Sequence, residues 1–438
     1  LPPVLRWARL WQLAADNGLG PTVPDPILRK NLTLNALNGV LAMMSANLVG
    51  PFMGIFAVRI GASNVQVALL SSLPALMSLV AMIPGARFLD SRADRKGWTA
   101  RFLLMHRAFY VVLAVIPFFD PSRQSTLLVA AVALMNLPGA VGNIGWQALI
   151  SRVIPPERRA AAFATRNRLM NLAGAVTVVL AGQGIDLVQH PLGYQIAFGL
   201  GFLFALGELA ILNRLELSPA PVQDPSARRL TGSHDRVADR ARFIRYTAAS
   251  VVFYLAWQTP WPLFTLYQVR VLEASNAWIS LLSLVNTGGT LLGFGFWARQ
   301  AQRRGHMWTL SASTAGLWVV PVIYAYSTNL ATLAAFNLLI GAVFSGVALS
   351  LFNYLLEVTP EEYKTTYLAY YTSAVNLSGV VAPMVGVWLL GRLGFTNAFL
   401  LCAAFRVAAS LLYRLLYVLD RRSDRVYADG NARACVSE

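Results

Sequence analysis

Long apolar runs alternate along the chain with short polar clusters rich in Arg, Pro, Gly and Asn. A helix crossing the apolar layer of a bilayer needs about 20 such residues. Twelve runs meet that requirement: 31–58, 64–88, 101–119, 125–151, 160–186 and 194–213, then 245–269, 276–298, 307–327, 329–356, 365–390 and 395–419. A polar stretch from Glu216 to Arg242, rich in Pro, Ser and Arg, separates six runs from six. The pattern predicts an all-α polytopic membrane protein with twelve transmembrane helices. Its expected parts are an N-terminal segment (1–27), a six-helix bundle (28–215), a linker (216–243), a second six-helix bundle (244–419) and a tail (420–438). The start of the first part, with Arg6, Trp7, Arg9 and Trp11, reads either as an interfacial helix carrying Trp at the headgroups or as a frayed tail.

Composition agrees with the pattern. The chain is 56% apolar and 13% charged, against about 25% charged in soluble domains. This excludes an ordinary soluble protein, a disordered chain and a disulfide-stapled module. Cys402 lies in an apolar run and Cys435 in the polar tail, so no disulfide or metal site is expected. The net charge of +16 would suggest nucleic acid if it were clustered, but it is spread over alternate loops. Of the 36 basic residues, 29 fall on one side of the predicted topology; the other side holds only Arg59, Arg123, Arg270 and Arg392. By the positive-inside rule both termini are cytoplasmic, in the cytoplasmic membrane. The charge is a topology signal; the expected partner is the lipid bilayer, with no role for nucleic acid.

The two halves are related. Ala62-Ser63-Asn64 with Leu69-Leu70-Ser71 recurs as Ala274-Ser275-Asn276 with Leu281-Leu282-Ser283. Pro51 and Arg59 match Pro262 and Arg270, and Arg95-Lys96-Gly97 matches Arg303-Arg304-Gly305. Pro155-x-Glu157-x-Arg159 and Asn171-Leu172-Ala173-Gly174 match Pro360-x-Glu362-x-Lys364 and Asn376-Leu377-Ser378-Gly379. Leu192-Gly193-Tyr194 matches Leu393-Gly394-Phe395. The matches come in order with slowly drifting offsets, which identifies a duplication. An even number of spans per copy inserts both copies in one orientation, as parallel repeats.

With this repeat and Asp94-Arg95-Lys96-Gly97 between spans two and three, residues 28–420 resemble the major facilitator superfamily. The tetrapeptide is similar to the core of that superfamily's loop motif, although Asp90 stands at the leading Gly and Trp98-Thr99 at the basic pair. The resemblance implies two six-helix repeats around a central cavity, transport by alternating access, and a cytoplasmic latch. The latch candidates are Asp90, Asp94, Arg95, Arg152 and Glu357.

Polar residues inside spans are functional candidates by default. Asn35 and Asn38 share an arc of span one, with Asn31 and Ser45. Asn136, Asn143 and Gln147 line span four beside Trp146, and Tyr254, Trp257, Gln258 and Trp261 share a face of span seven. In the family these spans line the cavity, so these residues are the expected substrate groups. Interhelical hydrogen bonding is the competing role. Arg107 and Glu208 lie at one depth in spans three and six and are expected to form a buried ion pair or a proton-coupling site. Arg406 in span twelve must meet water, a carbonyl or the other half.

A lining of amides and aromatics without a carboxylate suits a small neutral or amphipathic organic solute. The reading is a monomeric secondary active transporter, with efflux preferred and protons as the candidate coupling ion. It has no cofactor, no metal and no catalytic residue. Span five lacks the Gly-Pro of the drug–proton antiporter motif, and span one has no acid. The rivals are an uptake permease or uncoupled facilitator, and a membrane acyltransferase suggested only by His234-x-x-x-x-Asp239 in the linker.

Overall fold

The structure is a computed structural model describing residues 26–154, 156–216, 236–359 and 364–436. The expected interfacial helix, most of the linker and His234 lie outside the described residues. Everything described is helix or short connection. Ten of the described helices are long and apolar enough to cross a membrane. The twelve expected spans reduce to ten on two accounts. Span seven is broken into Arg236–Gln258 and Trp261–Arg270, and spans eleven and twelve join in one run, Lys364–Val436, turned at Gly394. Gly394 has φ 71°, a left-handed conformation that a side chain would strain. Two boundaries differ from the sequence reading: the span-seven helix begins at Arg236, inside the expected linker, and the last helix continues beyond Asp420 into the expected tail.

The chain divides into two compact units, Leu1–Asp224 with Ala274–Leu281, and Pro225–Glu273 with Leu282–Glu438. In the first, span one (Pro26–Arg59) packs on spans five (Pro156–Leu187) and six (Leu192–Arg214). Span two (Asn64–Asp90) packs on span four (Pro121–Val153), and span three (Arg95–Val115) on spans four and six. Turn chemistry fixes the starts. Ser63 Oγ accepts from Gln66 N at 3.2 Å while Gln66 Oε1 accepts from Ser63 N at 2.9 Å, a reciprocal cap at the head of span two. Asp120 heads span four by accepting from both the N–H and the hydroxyl of Ser122, which hold its carboxyl below the usual range.

The span-one stripe turns out to be a seam rather than a cavity wall. Asn31, Asn38 and Ser45 recur every seven residues and all reach span six or its end. Asn31 exchanges two hydrogen bonds with the backbone of Glu216 at 2.8 and 3.0 Å. Asn38 Nδ2 donates to Glu208 O at 3.0 Å, and Ser45 Oγ donates to Gly201 O at 2.7 Å. All three are buried. This corrects the expectation for Asn38: its amide is spent on helix pairing. Asn35, also buried, is taken up below.

Residues Ala274–Leu281, expected to open the second half, pack with the first unit. The Asp186 carboxylate at the end of span five accepts from Asn276 N (3.2 Å), Asn276 Nδ2 (2.8 Å) and Ala277 N (2.7 Å). It thereby satisfies orphan donors at the head of span eight (Asn276–Arg304). Tyr194 donates its hydroxyl to Asn276 Oδ1 at 2.8 Å. In the following loop, burial and the nearby Arg59 charge pull the His190 imidazole below its ordinary value.

In the second unit, span seven breaks because Pro260 cannot donate and Pro262 starts a new helix. Span nine breaks likewise, between His306–Thr314 and Val319–Tyr326. Pro321 has no N–H for the carbonyl of Leu317, which accepts instead from Val320 N, a turn tighter, at 3.3 Å. Arg406 donates at both breaks, with Nη1 to Leu317 O and Nη2 to Trp257 O, each at 3.0 Å. Of the three environments expected for Arg406, the structure selects carbonyls. Gly386 of span eleven makes room for the same break, since a Cβ there would collide with the Thr259 carbonyl.

Candidate functional site

The candidate groups fall into two sets, one per unit. In the first, Asn143 and Gln147 of span four are exposed on one face, with Trp146 half-buried between them. Asn136 is half-buried, and its Nδ2 donates to the Val132 carbonyl one turn earlier, at 2.7 Å. Three of the four span-four groups therefore remain free to meet a solute.

Behind this face lies a buried charge cluster. Arg107 Nη2 stands 3.1 Å from Glu208 Oε2, and Arg107 Nη1 donates to the Tyr110 hydroxyl at 2.5 Å. The structure thus brings together the two groups that the depth count placed side by side. His106 next door is seated against the Met135 carbonyl at 2.8 Å, in a recess that Gly139 keeps open. A third charge belongs here that the sequence reading counted as a loop cation: Arg166 of span five, 8% exposed. Its Nε donates to Asn35 O at 3.3 Å, its guanidinium lies 4.5 Å from the centre of the Trp146 ring, and Glu208 feels its charge. Asn35 is thus placed at the site through its backbone, while its side-chain Oδ1 is buried without a hydrogen bond. The signal for Arg166 was available: it falls six residues inside the apolar run beginning at 160.

At the end of the same unit where spans two and three are joined, Asp94 heads span three by accepting from Gly97 N at 2.8 Å. Arg95 Nη1 lies 3.5 Å from Asp90 Oδ1, and both side chains are substantially exposed. With Thr99, Gly145 and Ala148 they line a cavity of about 220 Å³ between spans two, three and four. Of the remaining latch candidates, the Arg152 side chain lies outside the described residues, and Glu357 Oε1 stands 3.8 Å from His306 Nε2 in the second unit.

The second unit presents aromatics. Tyr254, Trp257 and Trp261 form a ladder along span seven with ring centres 5.7 and 5.1 Å apart, continued by Phe344 of span ten stacked 5.1 Å from Trp257. Gln258 stands in the same turn with its Oε1 buried and unbonded. Rings in such a row offer flat apolar faces with polar edges. Among the described residues no cluster of His, Cys, Asp or Glu could hold a metal ion.

Each unit also carries an ion pair between its first and last helix that sequence reading missed. Lys30 Nζ meets Glu216 Oε1 at 2.5 Å, and Arg242 Nε meets Asp420 Oδ2 at 3.3 Å. Tyr354 donates its hydroxyl to the same Asp420 oxygen. Lys30 and Arg242 stand 212 positions apart, the offset that relates Ser63 to Ser275, so the clasp is a duplicated feature.

Ten described helices long and apolar enough to cross a membrane, in a chain built of two related halves, define a polytopic membrane protein. The chain belongs to the Major Facilitator Superfamily: the sequence model of that family matches residues 36–245 and again 246–433. It is 25% identical over 392 residues, 86% of this chain and 95% of the other, to a protein of Deinococcus radiodurans named "Putative sugar efflux transporter". Its fold is similar to that of a bacterial homologue of the human lysosomal transporter Spinster, with TM-score 0.68 and 14% identity over 90% and 97% of the two chains. It is likewise similar to the nucleoside transporter NupG, with TM-score 0.67 and 10% identity over 88% and 100%. The chain is a transporter and not an enzyme.

Proposed function

We propose that the protein is a secondary active transporter that moves a small amphipathic organic solute out of the cell by alternating access. The solute class is supported by the exposed amides of the first unit, Asn143 and Gln147, and, separately, by the aromatic ladder Tyr254–Trp257–Trp261 of the second. Amides bond hydroxyl and carbonyl groups, and ring faces cover apolar or ring-shaped surface. The expectation of a neutral or amphipathic solute rested on a lining of amides and aromatics without a carboxylate; Arg166 adds a cation beside the span-four face, and amphipathic is the description retained. The name of the Deinococcus radiodurans relative supports both outward direction and a hydroxyl-rich solute. Protons are the proposed coupling ion, with Glu208 as the buried carboxylate that could carry one. The site of action is the cytoplasmic membrane, with both termini cytoplasmic and a single chain as the working unit.

Export is tested in everted membrane vesicles, where outward transport appears as uptake. A panel of labelled sugars, sugar derivatives and amphipathic small molecules should include one taken up above the level of vesicles lacking the protein. Uptake confined to right-side-out vesicles would reverse the direction.

A further inference from the structure

The interior of the first unit holds an unmatched positive charge. The cluster holds two cations and one anion: Arg166 and Glu208 are buried, and Arg107, whose side chain is 12% exposed, pairs with Glu208. Arg107 is provided for, by Glu208 and by Tyr110. Arg166 is not. A guanidinium has five N–H donors, and only Nε of Arg166 has a hydrogen-bond partner among the described residues, the Asn35 carbonyl.

The seat around it is nonetheless built. Gly39 on span one makes room, since a Cβ there would come within 2.6 Å of Arg166 Nε and 2.9 Å of its Cζ. Trp146 covers one face of the guanidinium at 4.5 Å. Asn35, whose carbonyl holds Nε, keeps a buried side-chain oxygen with no donor. Trp146 is flanked by the exposed Asn143 and Gln147, so the cation adjoins the proposed solute face. Burying a cation without an anion is costly. A rigid, preorganised fork with free terminal nitrogens is suited to a carboxylate or phosphate, which it takes bidentately.

The geometry points to Arg166 as the binding group for an acidic moiety, carboxylate or phosphate monoester, on the transported solute. The inference rests on the transport reading above and sharpens its substrate class to hydroxylated organic acids. The acid would lie against the two terminal nitrogens, supplying the missing charge, with the neutral part of the solute on Asn143 and Gln147.

The test uses full-length protein in phosphatidylcholine nanodiscs at constant ionic strength, with binding read by calorimetry for matched pairs. The pairs are glucuronate against glucose, gluconate against sorbitol, and glucose 6-phosphate against glucose. At least one acid should bind about ten- to a hundredfold tighter than its neutral partner, the range expected of charge-assisted hydrogen bonds. Arg166→Gln should erase that preference, so that acid and neutral partner bind alike, and Arg166→Lys should keep part of it. No acid preferred by the wild-type protein, or a preference that survives in Arg166→Gln, overturns the inference; the wild-type comparison decides even if Arg166→Gln does not fold. A response to phosphatidylglycerol in the disc, without any response to the soluble acids, would assign the site to lipid phosphate and also overturn it. Transport of the neutral partners in everted vesicles tests the export reading separately.

Discussion

The Arg107 guanidinium and the Glu208 carboxylate meet at 3.1 Å inside the first unit, each side chain almost wholly shielded. A pair so buried is held together because either partner alone would be an uncompensated charge in an apolar medium. Glu208→Gln and Arg107→Gln should each lower stability by about 3 kcal/mol, and the double variant by less than either single change. Thermal unfolding in nanodiscs measures this. Additive losses would show that the two groups do not act as a pair.

Arg406 should be irreplaceable by a neutral side chain for a different reason. Its partners are two carbonyls at helix breaks, Trp257 O and Leu317 O, the second of which also accepts from Val320 N at 3.3 Å. Arg406→Met leaves Trp257 O without a donor and should cost about 1–3 kcal/mol, the range for an unsatisfied buried acceptor. Arg406→Lys should recover part of the loss. A stable Arg406→Met protein would show that the breaks are satisfied by other means.

Gly386 and Gly391 make a controlled comparison one helical stretch apart. A Cβ at Gly386 strikes the Thr259 carbonyl, whereas one at Gly391 meets nothing within 4 Å. Gly386→Ala should lose about 1–3 kcal/mol from overpacking against rigid backbone. Gly391→Ala should be neutral or gain up to about 1 kcal/mol of helix propensity. Equal effects on the midpoint of thermal unfolding would contradict the close packing at the break.

Much of this architecture is readable in the sequence, and the misreadings share a cause. The spans are legible because a bilayer demands one long apolar run per crossing, and the repeat because its glycines, prolines and caps survive at matching places: Ser275 Oγ accepts from Trp278 N as Ser63 accepts from Gln66. Helical periodicity shows that Asn31, Asn38 and Ser45 share a face, but a face turned to a neighbouring helix and a face turned to a solute have the same period. The clasps Lys30–Glu216 and Arg242–Asp420 join residues 186 and 178 positions apart, with nothing local to announce them. Arg166 was hidden by its company, four other cations from Arg152 to Arg168.

Asp94 offers a test of the latch that leaves the fold alone. Its carboxylate caps span three through Gly97 N at 2.8 Å, and Asn caps a helix about as well as Asp. Asp94→Asn therefore removes charge while keeping the cap. Transport should fall about fivefold or more, the lower range of a conformational coupling term, with membrane insertion and thermal stability unchanged. Unchanged transport would reduce the Asp90, Asp94 and Arg95 group to solvated surface charge.

The central claim is energy-coupled movement of an organic solute, and reconstituted protein tests it most directly. Proteoliposomes are loaded with a solute the protein exports, a pH gradient is imposed, and labelled solute is followed on both sides. The account predicts accumulation against the solute's own gradient, abolished by a protonophore and absent from protein-free liposomes. Equilibration at one rate with and without the pH gradient would contradict it and leave a facilitator in its place.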